Sequence, residues 1–159
     1  MECFLNVPRK SIDEIDLKIL RIVQMDCRTP LAKMAKELGV PPSTVHYRLS
    51  KLERDGIIEG YHAKICGSKL GRDYLTITLV RGKYGPKYHE RIGKMLSEIP
   101  GVSGVYVVFG ETDFVVFARS YDRDDFMNKL EKLFDMPEIE RSNTLIVSRI
   151  MKEDPRLEL

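Results

Sequence analysis

The feature that most limits what this chain can fold into is a change of hydrophobic period at Gly56. From Asp13 to Gly56 apolar residues recur at the spacing of amphipathic helices, and beyond it they alternate or cluster in short strand-like runs. Two periods in succession define an α+β chain with helices first and a sheet afterwards. Of 159 residues, 43% are hydrophobic and 31% charged, enough apolar material for a folded core in each part. No apolar run approaches the roughly 18 to 20 residues of a membrane span, and Met1 to Lys10 lacks a signal-peptide core. The expectation is a cytoplasmic protein with no membrane partner.

Three short helices are legible before Gly56. The first opens at Asp13 as N-cap, with Asp16 in the capping-box place and Ile12 and Leu17 placed as a hydrophobic staple. The second is expected to take Thr29 as N-cap and Pro30 at its first position, carrying Leu31, Met34, Ala35 and Leu38 on one face and ending at Gly39. The third runs from Pro42 or Ser43 to Asp55, with Val45, Leu49 and Leu52 in one stripe. Strand-like runs follow at Ile57 to Ile65 and Tyr74 to Arg81, separated by a glycine-containing linker from Cys66 to Gly71. From Tyr74 onward the order is strand, helix, strand, tight turn, strand, helix, strand, which is the ferredoxin-like βαββαβ order.

The spacing of Ala35, Gly39 and Val45 suits a helix-turn-helix: a small residue where two helices meet, a residue for the turn, and an apolar residue locking the second helix onto the first. An ordinary helix pair uses the same logic, so the third helix has to decide. With Val45 at 0° and about 100° per residue, Leu49 and Leu52 fall within roughly 40° of it. Ser43, Thr44, His46, Tyr47, Ser50, Lys51 and Arg54 then occupy the opposite arc, which is polar, aromatic and cationic. Such a face fits double-stranded DNA. Ser43, Thr44, His46 and Tyr47 are expected nearest the bases, and Lys51, Arg54 and Arg48 at phosphates.

Those residues carry a resemblance to the Lrp/AsnC, or feast/famine, family of transcriptional regulators. It rests on Asp13 to Leu20, on Leu31 to Ala35 followed by Gly39 and Val40, and on Arg48 to Ile58. It continues in Ile99-Pro100-Gly101-Val102, Gly110 to Phe114 and the last strand around Thr144. The resemblance implies a winged helix-turn-helix domain over residues 1–58, a hinge strand and linker over 59–72, and an amino-acid-sensing and oligomerisation (RAM) domain of ferredoxin-like fold over 73–159. It also implies dimers that assemble into octamers. An effector amino acid would sit in a crevice between dimers, against the turn Gly110, Glu111, Thr112 and Asp113 of one subunit, with Ser142 and Thr144 of the final strand of another subunit opposite. Turn N–H groups would bind its carboxylate and Asp113 its ammonium. Archaeal members that sense glutamine or lysine look most similar. One departure stands out, because Pro41 occupies the place where members usually carry a capping serine.

Other classes are poorly supplied. His46, His62 and His89 lie in separate elements without a nucleophile beside them, and Asp122, Asp124 and Asp125 read as the acidic first turn of a helix, so no catalytic residue is assigned. The alternatives are an effector-independent architectural DNA-binding protein and, less favoured, a small ferredoxin-like metabolic enzyme. Cys3, Cys27 and Cys66 lack metal or disulfide spacing, so no metal or cofactor is expected and the thiols are read as buried and free. Scarce amide side chains, with Gln24 the only glutamine, lean towards a thermophilic source. The net charge of +2 argues weakly against nucleic acid, but residues 1–66 hold all of the excess, with 11 basic against 9 acidic side chains. Useful DNA affinity would therefore come from several joined copies.

Overall fold

The computed structural model describes residues 12–159, so the expected N-terminal tail and Cys3 lie outside the described residues. The described residues divide into two compact units, residues 12–64 with 154–159, and residues 65–153. The first boundary falls within the expected linker. Residues 154–159, assigned from sequence to the second domain, group with the first unit instead.

The first unit holds α1 (Glu14–Met25), α2 (Leu31–Leu38) and α3 (Pro42–Arg54). Asp13 caps α1 by accepting from the Asp16 N–H at 2.9 Å, and Asp16 accepts from the Asp13 N–H at 3.2 Å, completing the capping box. The cap of α2 differs from expectation. Pro30 takes the N-cap position, and the Thr29 hydroxyl turns back to donate to the Asp26 carbonyl. At the other end Gly39 adopts φ 67°, a conformation glycine takes without steric cost. The end of α3 is a Schellman motif: Gly56 at φ 70° donates to the Glu53 carbonyl and Ile57 to that of Leu52. Ile19, Leu20, Met34, Ala35, Val45, Leu49 and Leu52 form the core, as the helical periods require.

The C-terminal segment completes this unit. Gln24 accepts from the Leu157 N–H and donates to the Leu157 carbonyl, Arg21 donates to the Leu159 carbonyl, and the Leu159 side chain packs against the three-helix core. Nothing in the sequence pattern signals this docking. The run from Ile57 to Ile65, expected as a strand, pairs with no other segment and is irregular; a 3-10 turn follows at Gly67–Leu70. A strand persists only where a neighbour satisfies its N–H and C=O groups, and within one chain none is offered. Cys27 and Cys66 are exposed, contrary to expectation, because both sit in connections without an apolar face.

The second unit has β1 (Tyr74–Gly82), α4 (Tyr88–Ser97), β2 (Val102–Val107), β3 (Phe114–Ser120), α5 (Arg123–Phe134) and β4 (Ile139–Ile146). Its antiparallel sheet has the order β2-β3-β1-β4, the ferredoxin-like arrangement expected. Asp122 caps α5 through the Asp125 N–H, and Asp125 accepts from the Tyr121 N–H and from Lys129 Nζ, so these acids serve the helix start. Val80, Ile92, Leu96, Ile99, Phe114, Val116 and Leu133 form the core between sheet and helices.

On β1 the buried positions are Thr76, Thr78, Val80 and Gly82, whereas Leu75, Ile77 and Leu79 are half-buried on the opposite face. Register carries that face to Val115 and Phe117 of β3, Tyr106 of β2 and Leu145 of β4. The larger aliphatic residues of β1 itself therefore lie away from the helices. Among the described residues no helix is long and apolar enough to cross a membrane.

Gly101 joins α4 to β2 at φ 84°, and a Cβ there would lie 2.5 Å from the Arg119 carbonyl oxygen, a backbone atom. Gly101→Ala is expected to lower stability by about 2 kcal/mol or more through strain and overlap. Chemical denaturation followed by circular dichroism measures it, and an unchanged midpoint would contradict the packing described.

Candidate functional site

The outer face of α3 presents a compact array. Ser43, His46, Tyr47, Ser50 and Arg54 are exposed and Thr44 and Lys51 half-buried, all turned from the Val45, Leu49 and Leu52 stripe. Tyr47 is 64% exposed, unusual for a tyrosine on a well-packed helix. Pro41 and Pro42 begin the helix without any capping side chain. Proline pre-sets the φ of a first turn, which is how the helix starts here without the customary serine.

Arg48 does something other than expected. Its Nη1 lies 2.5 Å from Asp13 Oδ2 and 2.9 Å from Asp16 Oδ1, tying the middle of α3 to the start of α1. Asp16 is buried, so this guanidinium compensates a carboxylate removed from water. The Asp16 N–H and then the Arg48 guanidinium hold the Asp13 carboxyl below the usual range, and Asp13 and Asp16 in turn raise Arg48. A depression of about 220 Å³ lies over this ion pair, between Tyr47 and Lys51 on one side and Ile12 on the other.

The second unit has a cavity of about 500 Å³ lined by Leu79, Arg81, Glu111, Thr112, Arg141 and Asn143. The expected effector residues divide around it. Glu111 and Thr112 are in the lining, while Gly110, at φ 150°, shapes the turn. Asp113 is buried and points elsewhere, accepting from the Gly82 N–H at 2.9 Å and from the Tyr88 hydroxyl at 3.3 Å. These bonds brace the end of β1, where the β1–β4 register shifts between Arg81 and Gly82. Burial and the Asp113 charge push the Tyr88 phenol up.

Ser142 and Thr144 pair with Val80 and Thr78 on the helix-facing side, and the Thr144 hydroxyl meets that of Thr78 at 3.0 Å. The cavity instead takes their neighbours Arg141 and Asn143, paired with Arg81 and Leu79. One residue of strand parity separates Ser142 and Thr144 from the residues that line this cavity. The missing signal was the parity of β4, whose sequence Ile-Glu-Arg-Ser-Asn-Thr-Leu-Ile has apolar residues at both odd and even positions.

A three-helix unit with an open polar and cationic helix face, followed by a ferredoxin-like sheet with a polar cavity, defines a two-domain helix-turn-helix protein. Residues 12–59 match the family model described as winged helix-turn-helix DNA-binding, and residues 74–157 match that of the Lrp/AsnC ligand binding domain. The chain belongs to the Lrp/AsnC family. It is 36% identical over 149 residues to the HTH-type transcriptional regulator FL11 of Pyrococcus horikoshii, covering 94% of this chain and 97% of that protein. An HTH-type transcriptional regulator of Pyrococcus abyssi is 34% identical, with 92% and 99% covered. Among solved structures, Escherichia coli AsnC superposes with a TM-score of 0.81 at 26% identity, covering 94% of this chain and 98% of that one. The fold is also that of a Neisseria meningitidis transcriptional regulator crystallised as its L-Met complex, with a TM-score of 0.86, 21% identity and 93% and 97% covered.

Removing Arg48 leaves the Asp16 carboxylate buried without its cation. Arg48→Ala is expected to cost about 1 to 2 kcal/mol, discounted for the partial exposure of the pair. Because the folded Asp13 carboxyl titrates below its ordinary value, the contribution is complete above that value and lost as pH falls through the lower folded one. Melting curves of wild type and variant should thus differ by a constant amount near neutrality and converge below about pH 4. A difference independent of pH would refute the ion pair's role.

Proposed function

We propose that the chain is a sequence-specific DNA-binding transcriptional regulator whose assembly and DNA binding respond to an amino acid. The observation that carries this reading is the outer face of α3, where Ser43, Thr44, His46, Tyr47, Ser50, Lys51 and Arg54 stand exposed or half-exposed against a fully apolar inner stripe. His46 and Tyr47 supply groups for base edges, with Ser43 and Thr44 beside them, while Lys51 and Arg54 supply phosphate contacts. Arg48 holds α3 in place from behind, through Asp13 and Asp16, and is a positioning residue. The protein acts by binding and is no enzyme; its place is the cytoplasm, with DNA.

Self-association follows from the sheet. Leu75, Ile77, Leu79, Val115, Phe117, Tyr106 and Leu145 share the face opposite the helices, where apolar area gains by being covered by a second copy. Dimers built on this face, and octamers built from dimers, place several α3 helices on one DNA. In the second unit, the effector binds in the cavity beside the 110–113 turn, with Glu111 taking over the ammonium contact for which Asp113 is unsuited. Between glutamine and lysine, the arginines Arg81 and Arg141 favour glutamine, since they repel a second ammonium. Sensing of an amino acid is in keeping with the L-Met complex of the Neisseria protein.

Salt-dependent DNA binding tests the α3 assignment. Lys51→Ala is expected to weaken binding to all sequences alike and to reduce the salt slope by about one, whereas His46→Ala loses about 1 to 3 kcal/mol of discrimination between operator and random DNA. Unchanged binding in both variants would sink the assignment. For assembly, Ile77→Asp should shift sedimentation towards the monomer with helical content kept; an unaltered distribution would place the interface elsewhere.

A further inference from the structure

The chain joins the two units twice, leaving the first between residues 64 and 65 and returning to it between residues 153 and 154. The second junction ends in a built contact. Asp154 turns the chain by accepting from the Arg156 N–H at 3.2 Å and from the Arg156 guanidinium at 2.8 and 2.9 Å, and that guanidinium also reaches the sulfur of Met25 at the end of α1. Beside Met25, the Gln24 carboxamide takes both main-chain groups of Leu157, accepting from its N–H at 2.7 Å and donating to its carbonyl at 3.2 Å. Three positions earlier, on the same helix face, Arg21 Nε donates to the Leu159 carbonyl at 2.6 Å. The Leu159 side chain packs on the three-helix core, whereas that of Leu157 is 73% exposed. A carboxamide offers a donor and an acceptor side by side, so Gln24 pairs with Leu157 as a neighbouring strand would. End segments order only where something ties them down, and here three side chains of one helix do so. The helix that receives this segment is also the one whose Asp13 and Asp16 hold Arg48 of α3.

We infer that residues 154–159 are a latch that fixes how α3 is presented to DNA, with Arg21 and Gln24 as its positioning residues and Leu159 as its anchor. The inference rests on the DNA-binding reading of α3 and adds what holds that helix in place for a whole operator. A two-fold assembly reads half-sites about 34 to 36 Å apart, or a multiple of it, so its affinity depends on two α3 helices being kept at one spacing. A single connection leaves a domain free to turn, and relative motion is then the ordinary expectation. A second connection, made by the latch, removes that freedom on folding, so that less ordering remains to be done on the DNA. One half-site engages one α3 and is indifferent to spacing. The latch therefore acts on the ratio of whole-operator to half-site affinity and on the tolerance for altered spacing, and leaves the contacts of α3 itself unchanged.

Full-length Gln24→Ala, Leu159→Ser and Leu157→Ser, and a chain stopped after Glu153, test this against the wild type. Each is titrated with an operator selected from random DNA, with one half-site of it at low salt, and with operators whose half-sites are moved apart by about five base pairs, half a helical turn. Trypsin cleavage after Arg156 reports whether the latch is docked, and circular dichroism confirms the fold. The bond after Arg156 is expected to be cut roughly tenfold faster in Gln24→Ala and Leu159→Ser than in the wild type. Whole-operator affinity should fall roughly tenfold or more in these two and in the shortened chain, with half-site affinity changed by less than about twofold and the altered spacing penalised less. Leu157→Ser, whose side chain lies outside the contact, should behave as the wild type in every assay. Equal loss of whole-operator and half-site affinity would show that the segment serves only the fold of the first unit, and overturns the latch. Unchanged whole-operator affinity in the shortened chain, or unchanged cleavage in both Gln24→Ala and Leu159→Ser, overturns it too, and in each case the α3 assignment stands. A wild type that selects no DNA overturns both.

Discussion

Side chains on β1 leave the strand on alternate sides, and that pleat decides what the rest of the second unit can be. Thr76, Thr78, Val80 and Gly82 go towards the helices; Leu75, Ile77, Leu79 and Arg81 go the other way. Every neighbour inherits the choice through the ladder: Val116 and Phe114 join the buried side, Val115 and Phe117 the open one. On β4 the same rule sends Ser142 and Thr144 to the helix side and Arg141 and Asn143 to the open one. Core, cavity and open apolar face all follow from this one alternation. Asp113 anchors it where it is weakest, bonding the Gly82 N–H at the point where the β1–β4 register slips.

The first unit obeys a different constraint, the closeness of α2 and α3 at Ala35, Gly39 and Val45. Its core residues alternate at helical spacing and its ends carry local signals, so Asp13, Gly39 and Gly56 mark their boundaries in the sequence as they do in space. The outer face of α3 was legible for the same reason: once Val45, Leu49 and Leu52 are buried, the helix has no freedom about which residues remain outside. Arg48 lies on the flank between the two faces, where its partner depends on which helix crosses nearby. Asp13 and Asp16 are thirty-odd positions away in sequence, and no local pattern links them to it.

The effector residues show where sequence reasoning stops. The turn at 110–113 was found, because a glycine and an acid between two strand-like runs have few other uses. Ser142 and Thr144 lie on the helix side of β4 and Arg141 and Asn143 on the cavity side, a parity that the β4 sequence does not display. The segment from Ile57 to Ile65 failed for a related reason: strand propensity can be read from residues, but a strand needs a neighbour, and pairing is not a local property. The docking of residues 154–159 through Gln24 and Leu159 is likewise long-range and carries no repeating signal.

A central strand, β1, that keeps threonine inward and leucine and isoleucine outward has an unusual division of its apolar area. The buried side of the second unit is modest for its size, with Thr76, Thr78 and Ser120 occupying places that aliphatic residues commonly fill. In the proposed assembly, much of the area available for burial is gained only when a second copy covers the open face. Folding and association then draw on the same surface, and protein concentration becomes a thermodynamic variable of the fold itself, moving the melting temperature by mass action. The amount of regulator in a cell would thus set how much of it is folded as well as how much is bound.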